Sequence, residues 1–163
     1  MKVGVVSDTH NNLKNIEKIV TLFNSKEIDF VIHTGDITNT HSLEKFVDLK
    51  CPLYGVYGNN DLNERGLEDI ALKYNFNFQN PPFLLEKANK QIAIFHEPDS
   101  IEQLFLEKEK VDVVLHGHTH RYRKETINNV LFFNPGESAG MLKGKNAIGI
   151  LNLDDLSTET IYF

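Results

Sequence analysis

The sequence predicts an α/β fold in which two packed sheets are flanked by helices. Three observations predict it: apolar runs alternate with helical periodicity in the first half, strand-like segments dominate the second half, and short polar blocks follow the ends of apolar runs. The chain has 163 residues, of which 40% are hydrophobic and 25% charged. Because this length and composition suit one globular core, we assign residues 1–163 to a single domain.

The first half is predicted to alternate strands with helices. Short buried apolar runs predict strands over residues 3–6, 30–32 and 53–57. A helix after Asn11-Asn12 is predicted by apolar residues that share one helical face, namely Leu13, Ile16, Ile19, Val20 and Phe23. A second helix is predicted over residues 43–49. This βαβαβ order favours a parallel sheet.

The second half is predicted to consist mainly of strands. Strand-like runs cover residues 83–87, 91–95, 111–115, 124–127, 130–133, 147–153 and 158–163. Turns at Ala88-Asn89-Lys90 and Asn128-Asn129 join the first two runs and the fourth and fifth runs as neighbours. The spacing of Ile101, Leu104 and Phe105 indicates a helix. We expect this second sheet to be largely antiparallel.

The composition excludes several classes of partner and location. The formal net charge of -6 argues against extended nucleic-acid binding or an anionic membrane, since both require a basic surface. Cys51 is the single cysteine, so no intramolecular disulfide forms, and a reducing cytoplasmic location is expected. The apolar run before Asp8 is too short for a signal sequence or a membrane span.

Polar residues with metal-binding side chains follow five of the apolar runs. These blocks are Asp8-Thr9-His10, Gly35-Asp36, Gly58-Asn59-Asn60-Asp61, His96 and Gly117-His118-Thr119-His120. Ligands of open α/β sheets bind beyond the carboxyl ends of strands, so we expect the blocks to meet at one rim. In each His-containing triplet, residues two apart on an extended backbone would point the same way. Carboxylate, imidazole and amide ligands suit divalent transition metals.

Each block alone also has an ordinary structural explanation. Asp8 is a common turn or cap residue, Gly35-Asp36 is a frequent turn, and residues 58–61 tolerate left-handed backbone. His96 could be a hydrogen-bonded, partly buried histidine, and the histidines at 116, 118 and 120 could form an adventitious metal site. The joint occurrence of the blocks in this order favours a built metal site.

The series Asp8-x-His10, Gly35-Asp36, Gly58-Asn59-x-Asp61, His96 and Gly117-His118-x-His120 resembles the motif set of the calcineurin-like metallophosphoesterase superfamily. Asn134-Pro135-Gly136-x-Ser138 is similar to a late loop of its small single-domain phosphodiesterase branch. The resemblance extends from Asp8 to Ser138 and implies a four-layer α/β/β/α sandwich with two packed mixed sheets flanked by helices.

The resemblance also implies a metal-ligand set. Asp8, His10, Asp36 and His120 would bind a first ion, and Asp36, Asn59, His96 and His118 a second, with Asp36 bridging both. Two such ions hold a phosphate and lower the pKa of a bridging water, so that hydroxide attacks phosphorus in line. Nitrogen-rich ligands without thiolate suit Mn²⁺, which we favour, and also Ni²⁺, Fe²⁺, Co²⁺ or Zn²⁺.

The sequence departs from the family pattern at the residue expected to contact the phosphate. Asn60 stands where many relatives carry a histidine that can help the leaving oxygen depart. Because an amide donates hydrogen bonds but is no general acid near neutral pH, we hypothesise that Asn60 orients the phosphate. Tyr57 replaces a frequent arginine and Glu97 a frequent glycine, which places substrate contacts more than metal binding in question.

The implied function is a metal-dependent phosphoesterase acting on a small phosphate ester, with a diester preferred over a monoester on the resemblance alone. An alternative is a noncatalytic metal-binding interaction scaffold, because a retromer subunit resembles the same branch. A nuclease would need a basic or aromatic groove, which the acidic balance disfavours. The apolar residues 81–85 form either a contact between subunits of a homo-oligomer or part of the core, and the sequence leaves both possibilities open.

Overall fold

Two β-sheets form the centre of the protein. The computed structural model describes residues 1–101 and 110–163. The strands are β1 Lys2–Val6, β2 Phe30–His33, β3 Leu53–Val56, β4 Asn77–Gln79, β5 Phe83–Lys87, β6 Lys90–Ile94, β7 Val113–Leu115, β8 Arg123–Ile127, β9 Val130–Asn134, β10 Ala147–Asn152 and β11 Thr158–Tyr162.

The first sheet has the strand order β11-β10-β1-β2-β3-β4. Strands β1 to β4 are parallel to one another, as the βαβαβ order predicts. Strand β10 returns from the second half of the chain to pair antiparallel with β1, and β11 continues as an antiparallel edge. The first sheet is therefore mixed, with a parallel centre.

The second sheet has the order β5-β6-β7-β9-β8, and it is not largely antiparallel as expected. The predicted pairs β5-β6 and β8-β9 are antiparallel hairpins, and Asn128 and Asn129 at the second turn have positive φ angles of 51° and 67°. Strands β6, β7 and β9 are instead parallel. The expectation was wrong because a hairpin turn determines the relative direction of only the two strands it joins. Crossover connections determine the direction of the central strands.

Alternating residues of each strand face opposite sides of the sheets. Val3, Val5 and Ile32 of the first sheet pack against Ile94 and Leu115 of the second, and together they form a core between the sheets. Residues of opposite parity, including Val6 and Val31, pack against the helices instead. The predicted α/β fold with two packed mixed sheets is confirmed.

Helices cover the outer face of the first sheet. Helix α1 spans Leu13–Ser25, α2 spans Thr40–Glu44 and continues as a 3₁₀ turn over Lys45–Asp48, and α3 spans Leu67–Lys73. Helix α1 buries its predicted face and is capped by the Asn12 side chain, which accepts a hydrogen bond from Asn15 N at 3.1 Å.

The predicted elements differ from the structure in three places. The helix expected over 43–49 begins at Thr40, and neither α3 nor β4 was predicted. On the outer face of the second sheet, the described residues contain a 3₁₀ turn over Pro98–Ile101, and the rest of the helix predicted there lies outside the described residues. Among the residues that the structure describes, no helix is long and apolar enough to cross a membrane.

Candidate metal centre

The parallel strands of both sheets deliver polar residues to one shared rim. Asp8 follows β1, Asp36 follows β2, and Asn59 follows β3. His96 follows β6, and the segment from 116 to 120 follows β7. The two sheets are joined there by His96 Nδ1, which lies 2.9 Å from Thr34 O. The topology therefore brings distant parts of the sequence together, as the strand-end argument predicts.

One group at the rim consists of Asp8, His10 and His120, whose ligand atoms all lie within 4.8 Å of one another. His120 Nε2 is 3.5 Å from Asp8 Oδ1 and 3.5 Å from His10 Nε2. His10 Nε2 is also 3.8 Å from Asp36 Oδ2. These four residues are the ones proposed for the first ion.

A second group surrounds His96. His96 Nε2 lies 3.3 Å from Asp36 Oδ1 and 2.9 Å from Asn59 Oδ1. His118 Nδ1 is 3.0 Å from the same Asn59 oxygen, and its ring meets that of His96 edge-on. Asp8 and Asp36 both have a carboxylate oxygen within 4.8 Å of a His96 nitrogen. The structure thus brings together the residues proposed for the second ion, with His118 at the exposed side.

Asp36 lies between the two groups. Its Oδ1 faces His96 and its Oδ2 faces His10, so each carboxylate oxygen is directed toward a different group. Asn60 contacts both oxygens, because its backbone N–H donates to Oδ1 at 3.0 Å and its side-chain amide donates to Oδ2 at 2.7 Å. Asn60 is therefore a direct partner of Asp36, in addition to any contact with substrate.

The charges at the rim stabilise one another. Burial opposes ionisation of Asp36, but hydrogen bonds from His96 and Asn60 outweigh it and hold its pKa well below the usual range. Burial disfavours a protonated His96, yet the Asp36 carboxylate raises the pKa of this imidazole. Burial also raises the pKa of Asp8, against a 2.6 Å hydrogen bond from Ser7 Oγ.

The arrangement of donors fits a bound cation. His96 Nδ1 faces a carbonyl oxygen and must carry hydrogen. In the neutral ring, Nε2 then bears a lone pair that faces oxygens of Asn59 and Asp36. Such a contact is repulsive unless a proton or a metal ion lies between the atoms. Carboxylate, imidazole and amide donors without thiolate suit divalent transition metals.

The backbone at five of the seven proposed ligands is left-handed and not extended, which corrects the expectation for the two triplets. Positive φ angles occur at Asp8 (50°), His10 (44°), Asp36 (61°), His118 (66°) and His120 (56°). Non-glycine residues in this region are strained by about 1–3 kcal/mol each and occur mainly where surrounding contacts enforce them. The directions of these side chains are therefore set by tight turns after the strands and not by the alternation of an extended strand.

Two glycines allow the strand-end loops to approach closely. A Cβ added at Gly58 would lie 2.2 Å from Asp36 Oδ1, and one added at Gly117 would lie 2.0 Å from Ser7 Oγ. Any larger residue at either position would displace a carboxylate or its hydrogen-bond donor. The glycines of these motifs are thus explained by proximity to the ligands.

Asp61, a motif residue to which the sequence argument assigned no role, organises the loops of the first sheet. Its carboxylate accepts hydrogen bonds from four backbone N–H groups, those of Asp36, Ile37, Thr38 and Gly58, at 2.7–2.9 Å. Burial raises the pKa of Asp61, while the backbone N–H groups of Gly58, Thr38 and Ile37 lower it. Asp61 thereby fixes the loop after β2 to the loop after β3.

His33 connects the loops that follow β1 and β2. The Gly35 N–H donates to His33 Nδ1 at 3.1 Å, so Nε2 carries hydrogen and donates to Thr9 Oγ1 at 3.0 Å. Complete burial lowers the pKa of His33 to about 3, and the ring packs edge-on against Phe46. The neutral imidazole holds the Asp8 loop beside the Asp36 loop.

The late loop supports the same centre from the second sheet. Asn134 Nδ2 donates to Gly117 O at 3.2 Å, and Ser138 N donates to Asp8 O at 3.3 Å. Glu137, which the sequence argument missed, is fully buried and accepts backbone N–H bonds from Gly140 and Leu142 at 2.9 and 3.0 Å. An isolated Glu in a turn gives no sequence signal for such a role.

Fold and site define a metallophosphoesterase architecture, and a family comparison agrees. Residues 1–156 match the model of the calcineurin-like phosphoesterase superfamily domain. The chain therefore belongs to this superfamily, and the expectation of a phosphoesterase enzyme is confirmed.

Individual relatives are similar along nearly the whole chain. A phosphodiesterase of Methanocaldococcus jannaschii is 34% identical over 156 residues, which cover 94% of each chain. The solved structure of an archaeal phosphodiesterase superimposes with a TM-score of 0.91 at 33% identity and 100% coverage of both chains. A phosphoesterase from Escherichia coli shares the fold at a TM-score of 0.72 and 20% identity, over 99% of this chain and 98% of that one.

Proposed function

We propose that the protein is a phosphodiesterase that hydrolyses a small phosphate ester at a centre of two divalent metal ions. The observation that carries the proposal is the orientation of Asp36, which directs one carboxylate oxygen toward His10 and the other toward His96. Asp8, His10, Asp36 and His120 would hold one ion, and Asp36, Asn59, His96 and His118 the other. We favour Mn²⁺, with Ni²⁺, Fe²⁺, Co²⁺ and Zn²⁺ as alternatives.

Two bound ions would supply charge neutralisation for the phosphate and a bridging hydroxide for in-line attack on phosphorus. The chain's own residues prepare the centre for this chemistry. Asp61 and His33 hold the ligand loops in register through backbone hydrogen bonds. Ser7 keeps Asp8 oriented by donating to its Oδ2. Preorganised ligands reduce the reorganisation that metal binding requires.

Asn60 is proposed as the residue that orients the phosphate. Its side chain is exposed at the rim, and its amide already donates to Asp36 Oδ2, so a small rotation would let it donate to a phosphate oxygen instead. An amide has no proton to release near neutral pH, so esters with good leaving groups should react fastest.

The preference for a diester is supported by the named activity of the similar archaeal proteins, both of which are called phosphodiesterases. A cytoplasmic location is part of the proposal, supported by the single, unpaired Cys51. We propose no extended nucleic-acid partner, because the net charge of -6 disfavours one. Self-association is tested by measuring the mass of the protein in solution.

The decisive experiment measures hydrolysis by metal-stripped protein of bis(p-nitrophenyl) phosphate and p-nitrophenyl phosphate after each metal is added. We expect Mn²⁺ to restore diester hydrolysis with two ions per chain by elemental analysis. Asp36→Asn should lose more than about 100-fold, beyond the loss typical of an outer-shell partner.

Asp155→Asn is the matched control, because Asp155 is an exposed carboxylate that, among the described residues, accepts its side-chain hydrogen bonds from Ser157. If no metal restores hydrolysis, or Asp36→Asn equals the wild type, the proposed two-metal phosphodiesterase fails and the interaction scaffold replaces it. A stoichiometry of one ion with full activity would contradict the two-metal part alone.

A further inference from the structure

A cavity of about 220 Å³ opens directly beside the metal-ligand candidate His120. Its other walls include Arg121, Tyr122, Lys145 and Tyr162. The cavity therefore begins at the rim and extends away from it between the segment after β7, the late loop and the end of β11. A substrate whose phosphate lies at the rim would have one substituent within reach of this space.

The cavity is cationic although the chain as a whole carries a net charge of -6. Arg121 and Lys145 contribute two positive charges, and no Asp or Glu of the described residues lines the cavity. Within residues 1–101 and 110–163, neither cation forms an ion pair. Nearby Glu137 is buried, and its carboxylate is occupied by backbone donors. Two unpaired cations in a concave surface favour an anionic ligand.

The late loop that carries Lys145 is held in place by the start of α1 and by its own Glu137. Asn12 Nδ2 and Asn15 Nδ2, at the start of α1, donate to Ala139 O and Ser138 O at 2.7 and 2.8 Å. The Glu137 carboxylate accepts hydrogen bonds from backbone N–H groups that follow it in the loop, including that of Leu142. Lys145 N donates to Leu142 O at 3.0 Å. These bonds fix the backbone around the cavity, while the Lys145 side chain stays exposed.

The opposite end of the rim has different chemistry. A cavity of about 120 Å³ beside His96 is lined by Tyr57, Leu62, Pro81 and Glu97, among others, and Glu97 contributes an acidic side chain. An anionic substituent would be repelled there and attracted at the His120 end. The two ends therefore distinguish the two substituents of a diester by charge.

We propose that the cavity beside His120 is a subsite for an anionic substituent, so that the preferred substrate is a phosphodiester in which one alcohol carries a further carboxylate or phosphate group. This inference rests on the proposed phosphodiesterase function. Arg121 and Lys145 bind the additional anion, and the rings of Tyr122 and Tyr162 contact the carbon skeleton that joins it to the reacting phosphate.

Three substrates with one leaving group test the subsite: the p-nitrophenyl phosphodiesters of ethanol, 3-hydroxypropionate and choline. Their second substituents are neutral, anionic and cationic, while the released p-nitrophenolate is the same. For Mn²⁺-loaded protein at low salt, we expect kcat/KM to favour the anionic ester over the neutral one by roughly tenfold, mainly through KM. The cationic ester should be the poorest.

Variants assign the preference to the two cations. Arg121→Gln and Lys145→Gln should each reduce the preference for the anionic ester by about threefold, as expected for exposed ion pairs. Lys143→Gln is the matched control, since Lys143 is an exposed lysine of the same loop that does not line the cavity. At about 1 M salt, where screening acts over roughly 3 Å, the preference should disappear.

A binding measurement on metal-free protein tests the subsite independently of hydrolysis. Metal-free ¹⁵N-labelled protein titrated with 3-phosphonopropionate should show amide shifts at Arg121, Lys145 and Tyr162, and matched propylphosphonate should shift them less. Equal hydrolysis of the three esters, or a preference that survives in the double variant, overturns the subsite and leaves the phosphodiesterase standing. Failure to hydrolyse any ester with any metal overturns the proposed function first, and absent amide shifts then overturn the subsite independently.

Discussion

The two sheets contribute to the metal centre in different ways. The first sheet supplies carboxylates that are almost completely buried, with exposures of 0%, 2% and 3% at Asp8, Asp36 and Asp61. The second sheet supplies imidazoles: His96 is buried at 2% exposure, whereas His118 is exposed and the side chain of His120 is 22% exposed. The carboxylates of the first sheet thus form an interior network, and the ligands of the second sheet extend from buried His96 toward solvent at His118 and His120.

The difference follows from the cost of burying charge. A buried carboxylate must be hydrogen-bonded or paired, and Asp61 and Asp36 are surrounded by backbone and amide donors. A neutral imidazole has a much smaller desolvation cost and needs fewer partners. We therefore expect substitutions of the first sheet's carboxylates to change stability, and substitutions of His118 and His120 on the second side to change metal or substrate binding with little effect on folding.

The largest effect on stability is expected for Asp61→Asn. The amide would present NH₂ to two of the four backbone donors, which lowers the free energy of unfolding by about 3 kcal/mol in urea denaturation of metal-free protein. Asp155→Asn changes an exposed carboxylate in the same way and should stay within about 0.5 kcal/mol of the wild type. Equal stability of the two variants would remove the distinction between the sides.

His33 should make stability depend on pH. Since burial lowers its pKa to about 3, the unfolded chain binds a proton below about pH 6.5 that the folded chain does not. Stability is retained above pH 6.5 and lost as the pH falls, with a contribution of about 2 kcal/mol between pH 6.5 and 5.

The effect of His33 on this slope can be isolated by substitution. The free energy of unfolding of His33→Gln, measured across pH 5–8, should fall less toward low pH than that of the wild type. His41→Gln, which replaces an exposed histidine of α2, should keep the wild-type dependence on pH. An unchanged slope in His33→Gln would mean that the imidazole is protonated in the folded state.

A catalytic change of about tenfold is expected for Asn60→His, at the boundary between the two sides. An imidazolium can release a proton to the leaving oxygen, so esters of high leaving-group pKa should gain and p-nitrophenyl esters should not. The measurement is the slope of log kcat against leaving-group pKa for Mn²⁺-loaded protein. Asn63→His, a nearby exposed substitution, serves as control, and a gain that is equal for all esters would refute the proposed role.

The smallest effect on stability is expected for His118→Ala. Because His118 is exposed and contacts only neighbouring rim residues, the metal-free variant should unfold within about 0.5 kcal/mol of the wild type. Metal titration of the same protein should nevertheless weaken the second binding event. A large loss of stability would show that the second side is part of the folded framework.

Much of the fold could be predicted because burial leaves a clear pattern. The central strands are short apolar runs, and α1 has an apolar face that recurs every three or four residues. Helix α3 was missed because it is short and buries only Leu67 and Ala71, and β4 because it is a three-residue edge strand. Brief elements held by neighbouring contacts leave little periodic signal.

The candidate site was predictable in composition but not in detail. The motif order identified the seven proposed ligands and Asn60, and the structure brings these residues together. The left-handed backbone of the ligand loops, the anchoring by Glu137 and the four bonds to Asp61 could not be read from spacing. Each depends on contacts between residues far apart in the chain.

By itself, the sequence determined the family, the chemistry of the rim and the alternation of strands and helices. These properties follow from local composition, because residue type fixes which atoms can bind a cation and periodicity fixes which faces are buried. Only the tertiary structure decided the direction of β7 and β9, the placement of Asp36 between two histidine groups, and the cationic cavity beside His120. Those features arise where separate strands converge, and convergence is a property of the packed sheets.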